Sequence, residues 1–387
     1  MGEVFPIVMG KTPSRNIARY WDKKKETGNR WVSIADLSKN EGREILETKE
    51  HISDEGKQGI KLIPKGSLLV SFKLTLGKMA FAGIDLYTNE AIMSLEKRKD
   101  MDLMFLFYYF SYLDWHKIAS GNEKVKGKTL NKKSLSEIPV PCIPLSEQHS
   151  IVSRLDTAFS HIDALKANAE KQLNEARKLF QAELTECMKP KEGWEEDMLI
   201  NVFKFIDYRG ATPTKLHKGI PLVTAKNVKY GYIDYTIKDY ISIEEYETRK
   251  GRGVSHKGDL LFTTEAPLGN VAIANLEEFS AGQRLITLQQ YDIPKHAFIN
   301  KYYFYYMLCS DFQMRIKNLA TGATAQGIKA KVLKTILVPI VPLSEQQAIV
   351  THLDSLSSNI RKLEELQQKT IAECDALKQA MLKEVFE

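Results

Sequence analysis

The chain repeats itself once, and this repeat limits its fold more than any other feature of the sequence. "PLSEQHSIVSRLD", from Pro144, returns 198 residues later as "PLSEQQAIVTHLD", from Pro342. Further pairs keep the same order: "GKTPS" with "GATPT", "WVSIADL" with "LVTAKNV", "KGSLLVSFKLTLGKMAFA" with "KGDLLFTTEAPLGNVAIA", and "LSEIPVPCIPL" with "LKTILVPIVPL". Because chance similarity does not easily keep order along a chain, the sequence predicts two related globular halves, each followed by a similar segment.

Each shared motif opens a long amphipathic segment. The apolar positions, spaced mostly four and three residues apart, are Ile151, Leu155, Ala158, Ile162, Leu165, Ala169, Leu173, Ala176, Phe180 and Leu184, then Leu353, Leu356, Ile360, Leu363, Cys374, Leu377 and Met381. This spacing is typical of a coiled-coil seam, and about 40 helical residues would span roughly 60 Å. We expect the two helices to pair antiparallel, because the first carries the chain away and the second returns it. The alternative is two helices that pack separately on their own domains.

The repeat divides the chain into four predicted segments of an α+β protein. They are globular domain 1–143, long helix 144–190, globular domain 191–341 and long helix 342–387. Within the globular halves, "GSLLVSF", "GKMAFA", "GDLLFTT" and "GNVAIA" indicate strands, while two aromatic-rich stretches indicate helices whose rings belong to a core. Aligning Gly10 with Gly210 sets Met1 opposite Asn201, so either the first copy lacks opening residues or the chain was trimmed.

Composition excludes several classes of protein. The 387 residues are 43% hydrophobic and 27% charged, as in globular domains, and the longest apolar run, "MFLFYYFSYL", is too short to cross a bilayer. No secretory signal is recognisable, so we expect a cytoplasmic protein without a membrane partner. The four cysteines form no CxxC pair and the histidines fit no ligand spacing, which predicts reduced thiols and no metal site. No G-x-S-x-G, dinucleotide fingerprint or other catalytic motif appears.

Positive charge is concentrated in the globular halves. Residues 1–143 carry 24 basic against 18 acidic side chains and residues 191–341 carry 20 against 16, whereas both helical segments are net negative. This distribution favours a polyanionic partner for the halves. Random variation of surface charge is the alternative.

The loop "GNEKVKGKT" nearly matches a nucleotide-binding loop, but Gly121 lies one residue too far from Gly127-Lys128-Thr129. It also follows a predicted helix rather than a strand, and its counterpart "TGATAQGIKA" has no GK[ST]. We therefore interpret the two loops as phosphate-holding at most, with backbone phosphate of a nucleic acid as the candidate ligand.

Taken together, these motifs resemble the specificity subunit of type I restriction–modification systems. "IPVPCIPLSEQHSIVSRLD", "ILVPIVPLSEQQAIVTHLD", the G-x-TP openings and the "A-x-x-Q-G-I" loop carry the resemblance over essentially the whole chain. The first half departs from it in its short N-terminus and in its longer loop. The resemblance implies two target-recognition domains that read a bipartite, asymmetric DNA sequence, and helices that set the spacing and dock two modification subunits.

The resemblance also implies that the chain itself is not catalytic. S-adenosylmethionine and ATP would bind partner subunits, which methylate adenine and, where a motor-nuclease subunit joins, cleave DNA. This chain would need no cofactor. Two other functions stay open: a coiled-coil adaptor that binds only proteins, and an enzyme in its own right.

Candidate DNA contacts are polar or cationic residues in corresponding loops. They are Thr12, Ser14, Arg15, Lys73, Lys78, Asn122, Lys126 and Lys128 in the first half, and Arg209, Thr212, Thr214, Lys215, Lys226, Asn227, Arg284, Gln326 and Lys329 in the second. Arg15 and Arg284 suit guanine, Asn122, Asn227 and Gln326 suit adenine, and the lysines suit phosphate. For each, a solvated surface residue is the alternative.

Overall fold

The chain folds into two compact units. The computed structural model describes residues 1–73, 75–120, 123–124, 127–322 and 326–387, and side chains at 123–124 and 127–128 lie outside this description. Unit 1 comprises Met1–Asn168 and Lys369–Glu387, and unit 2 comprises Ala169–Gln368. Each unit therefore holds one globular part and a stretch of both long helices. The four segment limits predicted from sequence stay a prediction.

Short strands and helices alternate through unit 1. Its strands are β1 (Val8–Met9), β2 (Arg30–Val32), β3 (Glu44–Ile45), β4 (Glu50–His51), β5 (Leu68–Ser71), β6 (Met79–Ala82), β7 (Tyr87–Thr88), β8 (Ile92–Leu95), β9 (Glu123–Lys124) and β10 (Gly127–Lys128). Its helices are α1 (Ile34–Lys39), α2 (Leu103–Tyr112), α3 (Trp115–Ile118), α4 (Lys132–Ser136) and the first part of α5 (Leu145–Cys187), besides a 3-10 turn at Ala18–Tyr20.

The main sheet of unit 1 is buried on both faces. Its strand order is β1-β8-β5-β6-β3, and a smaller sheet has the order β4-β2-β7. Leu68 and Val70 face the cluster that includes the aromatic side chains of α2, whereas Leu69 faces a second cluster that includes Leu37 of α1. Because successive strand residues point to opposite faces, a sheet covered on both sides needs the continuous apolar run seen in "LLV".

Unit 2 is built from a similar series of elements. Its strands are β11 (Glu195–Met198), β12 (Phe203–Asp207), β13 (Ile220–Val223), β14 (Tyr240–Ile241), β15 (Leu260–Thr263), β16 (Val271–Ile273), β17 (Ser280–Ala281), β18 (Leu285–Gln290) and β19 (Leu337–Ile340). Its helices are α6 (Leu199–Val202), α7 (Ile243–Lys250), α8 (Asn300–Leu308), α9 (Ser310–Leu319), α10 (Ala330–Lys334) and most of α11 (Leu343–Phe386).

The strand order of unit 2 confirms the repeat. The sheets run β12-β18-β15-β16 and β14-β13-β17, as β1-β8-β5-β6 and β4-β2-β7 do in unit 1. The registers also correspond, because Leu68 pairs with Leu95 in unit 1 and Leu260 pairs with Leu288 in unit 2. The predicted strands and aromatic helices are confirmed, and the aromatic side chains of α2 and α8 are mostly buried in the cores.

The long helices pair antiparallel inside each unit. In unit 1, Lys166 Nζ lies 2.8 Å from Asp375 Oδ1, and Lys378 binds Asp163. In unit 2, Arg177 Nε lies 2.8 Å from Glu364 Oε1. The buried seam positions of α5 are Leu155, Ile162, Ala169, Ala176 and Leu184.

Two predicted seam positions are wrong. The side chains of Leu165 and Leu377 are 58% and 51% exposed, and Leu382 is buried at the end of α11 instead of Leu377. Close to seven residues separate successive buried positions in α5, so each layer takes one deeply buried side chain from that helix. The predicted seam positions between these buried residues are more exposed to solvent.

The shared P-L-S-E-Q motif works as a structural clamp. Gln148 is fully buried, accepts a hydrogen bond from the Asp102 backbone amide at 2.8 Å and donates to the Ile143 carbonyl at 2.8 Å. Gln346 makes the equivalent bonds to Ile299 and Val341, also at 2.8 Å. Each glutamine thus fixes the start of a long helix to the start of an aromatic helix.

The aspartate that ends each repeated motif makes a second tie. Tyr108 donates its phenol proton to Asp156, and Tyr305 donates to Asp354 at 2.6 Å. Burial raises the pKa of Tyr108 and of Tyr305 well above the usual range, so both phenols remain hydrogen-bond donors at neutral pH. The residues that the two copies of the motif share are therefore residues that make packing contacts.

Candidate nucleic-acid interface

Four predicted side chains of unit 2 line one cleft. Thr212, Lys215, Lys226 and Arg284 surround a cavity of about 200 Å³, together with Gln283. The cleft forms because β13 and β17 are parallel, so the loops that follow them leave the same edge of the small sheet. The "GATPT" loop after β12 closes a third side.

The two loops after β13 and β17 touch closely. A side chain at Gly282 would place its Cβ 3.2 Å from the Cα of Thr224, so glycine permits this approach. The Gly282 amide donates to the Val223 carbonyl at 2.7 Å, which holds Gln283 and Arg284 at the cleft. Thr212 donates its hydroxyl proton to Gln283 Oε1 at 3.1 Å.

Two cations of this cleft, Lys215 and Arg284, are paired with carboxylates. Arg284 Nε lies 2.9 Å from Glu265 Oε1, with side chains 53% and 45% exposed, and Lys215 Nζ lies 2.5 Å from Asp239 Oδ2. Such exposed pairs contribute about 0–1 kcal/mol, so a phosphate or base edge can compete for the cations at small cost. Lys226 is exposed and has no ion-pair partner among the described residues.

A buried arginine, not anticipated from sequence, positions the "GATPT" loop. Arg249 of α7 is 5% exposed and donates to Ser280 Oγ at 2.9 Å, the Ala211 carbonyl at 2.9 Å and the Ala281 carbonyl at 2.6 Å. Its guanidinium lies 4.5 Å from the ring centroid of Tyr208. Desolvation lowers the pKa of Arg249, although the guanidinium stays charged.

Unit 1 has the same arrangement with different side chains. Thr12 donates to Glu90, as Thr212 donates to Gln283. The strand registers make these acceptors equivalent, because Ser71 pairs with Ile92 and Thr263 pairs with Leu285, two residues beyond each acceptor. Gly10 fits tightly here, since an added Cβ would lie 2.1 Å from the Thr88 carbonyl oxygen.

Arg15 corresponds to Lys215 by the alignment of the G-x-TP motifs. Its Nη2 donates to Glu50 Oε2 at 3.0 Å. Glu50 corresponds to Asp239 of unit 2, because Glu50 pairs with Trp31 and the amide of Leu222, the counterpart of Trp31, donates to the Asp239 carbonyl. The guanidinium lies 3.9 Å from the Trp21 ring centroid and 5.0 Å from that of Trp31. Although the guanidinium stacks on these rings, the Arg15 side chain is 52% exposed, so its planar donors can still reach a ligand.

The remaining predicted residues of unit 1 lie elsewhere or outside the described residues. Ser14 is exposed beside Arg15. Lys73 forms a backbone bridge with Thr129, and Lys78 Nζ pairs with Glu41 Oε2 at 2.6 Å. Asn122, Lys126 and the side chain of Lys128 lie outside the described residues.

In unit 2, several predicted residues are not among those that line the cavity. Arg209 pairs with Asp207, and the backbone amide of Thr214 donates to Glu245 at 3.1 Å. Gln326 and Lys329 are exposed near Gly327, whose backbone bridges Glu265. This places their loop next to the ion-pair partner of Arg284.

Asn227 is a correction, since it does not offer its amide to a ligand. It is 2% exposed, accepts from the Thr224 backbone amide at 2.9 Å and donates to the carbonyls of Asp234 and Ile237 at 3.0 and 2.8 Å. Asp36 makes the matching contacts to Ser33 in unit 1. Reading adenine would break these buried bonds, so Asn227 holds its turn.

Sequence reasoning missed Glu90 and Gln283. Their signal was their equal position, two residues before the equivalent strands β8 and β18. Threonine, carboxylate or amide, and cation at one cleft can together accept from and donate to base edges and neutralise phosphate. Within the described ranges, no helix is both long and apolar enough to cross a membrane.

Comparison with known proteins agrees with this geometry. Residues 1–175 and 191–372 match a family model described as type I restriction modification DNA specificity domain. The chain is 22% identical over 380 residues to the EcoBI specificity subunit of Escherichia coli, covering 89% of this chain and 78% of that one. It is 24% identical over 288 residues to the EcoKI specificity subunit of E. coli K12, covering 70% and 62%, so it spans less than two thirds of that relative.

Solved structures share the fold. A chain from a study of complex assembly and conformational transition of the type I R-M system aligns with a TM-score of 0.75 at 20% identity, over 100% of this chain and 96% of that one. The HsdS subunit from Thermoanaerobacter tengcongensis aligns with a TM-score of 0.53 at 19% identity, over 98% and 94%.

Proposed function

We infer the function from one premise: this chain belongs to the type I restriction modification DNA specificity family. We propose that it is the DNA-recognition subunit of a type I restriction–modification complex. Each unit would read one half of a bipartite, asymmetric target through the cleft that its small sheet and G-x-TP loop enclose.

The observation that carries this proposal is the equivalence of the polar pairs that line the unit 2 cleft and those at the corresponding place in unit 1. The pairs Thr12–Glu90 and Arg15–Glu50 recur as Thr212–Gln283 and Lys215–Asp239 at equivalent positions of the repeat. A scaffold that keeps its backbone while exchanging polar side chains suits a module whose target varies. Two different sets of side chains imply two different half-sites.

The chain's contribution would be position, and its partners would supply chemistry. The relatives are specificity subunits, which supports a non-catalytic role for this chain. We propose that two modification subunits bind it, carry S-adenosylmethionine and methylate adenine after flipping it from the stack, and that a motor-nuclease subunit that uses ATP can join. The complex would act on cellular DNA in the cytoplasm.

The decisive experiment compares methylated adenines in cells with and without this chain. A bipartite motif with an unspecified spacer should lose methylation when the chain is deleted. An unchanged methylation map would overturn the proposal.

Binding measurements distinguish DNA recognition from protein-only adaptor function. Affinity of the assembled complex for its site should fall log-linearly with salt, with a slope that reports the number of phosphates neutralised. A flat salt response without sequence preference would favour the adaptor.

A further inference from the structure

Three metal-ligating side chains meet in unit 2, away from the cleft. Glu183 and Cys187 lie four residues apart on α5, which places them on one helix face, and His352 faces them from α11. His352 Nε2 lies 2.9 Å from Glu183 Oε1, which lies 3.8 Å from Cys187 Sγ. Their ligand atoms all fall within 4.8 Å of one another.

We propose that Glu183, Cys187 and His352 bind a Zn²⁺ ion, with a fourth coordination position left to water. Thiolate, imidazole and carboxylate are the three side-chain ligands that zinc takes, and three protein ligands with one open position are typical of its non-structural sites. The ion would tie the last turn of α5 to the third turn of α11 within this unit.

The surroundings are compatible with an ion that enters from solvent. Cys187 is partly buried and packs against the core of unit 2. The side chains of His352 and Glu183 are 55% and 38% exposed, so hydrated metal can reach them. Small shifts of these two flexible side chains would bring all three atoms to zinc-ligand distances of about 2.0–2.3 Å.

The corresponding place in unit 1 shows that the fold does not require these ligands. The repeat sets His352, Glu183 and Cys187 opposite Arg154, Met381 and Val385. The buried neighbours are conserved between the two places: Leu353 matches Leu155, and Leu184 matches Leu382.

At this place in unit 1, the two helices therefore carry an arginine and two apolar side chains. Unit 2 carries three side chains that can bind a metal there. Local motif spacing could not predict the cluster of Glu183, Cys187 and His352, since 165 residues separate Cys187 from His352.

The test uses the full chain, freed of metal by chelation and kept reduced. Titration with Zn²⁺ should give one equivalent per chain and raise the midpoint of thermal unfolding. Co²⁺ should give a thiolate-to-cobalt charge-transfer band. The triple variant Glu183→Met, Cys187→Val, His352→Arg copies the unit 1 side chains, so it should fold normally and lose both signals.

Single variants guard against misfolding of the triple one. Cys187→Ser should remove the charge-transfer band and weaken Zn²⁺ binding by more than the about 10–100-fold typical of losing a metal's outer partners. Cys142→Ser, an exposed cysteine in unit 1, should retain both signals. Absence of stoichiometric binding by the wild-type chain, or its persistence in Cys187→Ser, would overturn the proposal without affecting the DNA-recognition function.

Discussion

The cleft of unit 2 and the corresponding place in unit 1 share their strand order and register but differ in charge. Unit 2 carries Lys226 and Arg284 where the repeat gives unit 1 Ala35 and Ala91. Unit 1 instead stacks its one G-x-TP arginine on two tryptophan rings. The shared scaffold therefore fixes the position of each side chain, whereas the acceptors, donors and cations at those positions differ between the units.

The largest expected effect comes from exchanging a whole half. Replacing residues 1–143 with another family member's recognition half should replace one half of the methylated motif and leave the other unchanged. Sequencing of methylated adenines checks this. Altered specificity in both halves would contradict independent reading by the two units.

Removing the buried arginine of unit 2 should strongly destabilise that unit. Arg249→Ala leaves two carbonyls and the Ser280 hydroxyl without their buried donor, which should cost about 3 kcal/mol of unfolding free energy. Denaturant unfolding measures it. Lys250→Ala, next to it but with a side chain 38% exposed, should change stability by less than about 0.5 kcal/mol.

The equivalent acceptors give a matched pair of specificity tests. Gln283→Ala should weaken discrimination at one base pair of the second half-site by about 1–3 kcal/mol, and Glu90→Ala should do the same only in the first. Binding to a panel of single-base variants of the target checks both. Equal effects of either substitution on both half-sites would contradict the assignment of Glu90 to the first half-site and Gln283 to the second.

Charge removal should sharpen the contrast between the clefts. Lys226→Ala should weaken binding about equally across sequences and reduce the salt slope by about one, as expected of a phosphate contact. The same measurement on Ala35→Lys should show the opposite change. A sequence-dependent loss in Lys226→Ala would instead assign that lysine to a base.

The smallest expected effect is on pH dependence. A hydrogen bond from His51 lowers the pKa of Glu47 from its ordinary 4.5 to about 2. The contribution of the ionised Glu47 carboxylate to the free energy of unfolding is therefore complete above pH about 4.5, and it is lost as the pH falls toward 2. Because Glu47 is 55% exposed, the change should stay below about 1 kcal/mol, and acid unfolding of Glu47→Gln should show a flatter profile.

Much of the fold was predictable because it depends on periodic patterns. The strands, the aromatic helices and the antiparallel helix pair follow from apolar spacing that occurs in both copies of the repeat. Leu165 and Leu377 failed because a four-three pattern marks a helical stripe, and packing alone decides which of its members reaches the centre.

The candidate contacts were predicted less well, since polar side chains carry no such pattern. Lys215 and Arg284 were predicted from loop position and line the cleft, and their contact with DNA stays a prediction. Asn227 was predicted to read a base, but it completes a buried turn. Glu90, Gln283 and Arg249 went unnoticed because their importance depends on neighbours far away in sequence.

By itself the sequence determined two related halves, each with a long helix, because ordered repetition and apolar periodicity survive in a linear string. Only the tertiary structure decided which polar groups meet. Thr12 reaches Glu90 across 78 residues because β1 pairs antiparallel with β8, so the residues that follow β1 lie beside those that precede β8. Side-chain convergence of this kind depends on strand register, which the local sequence does not encode.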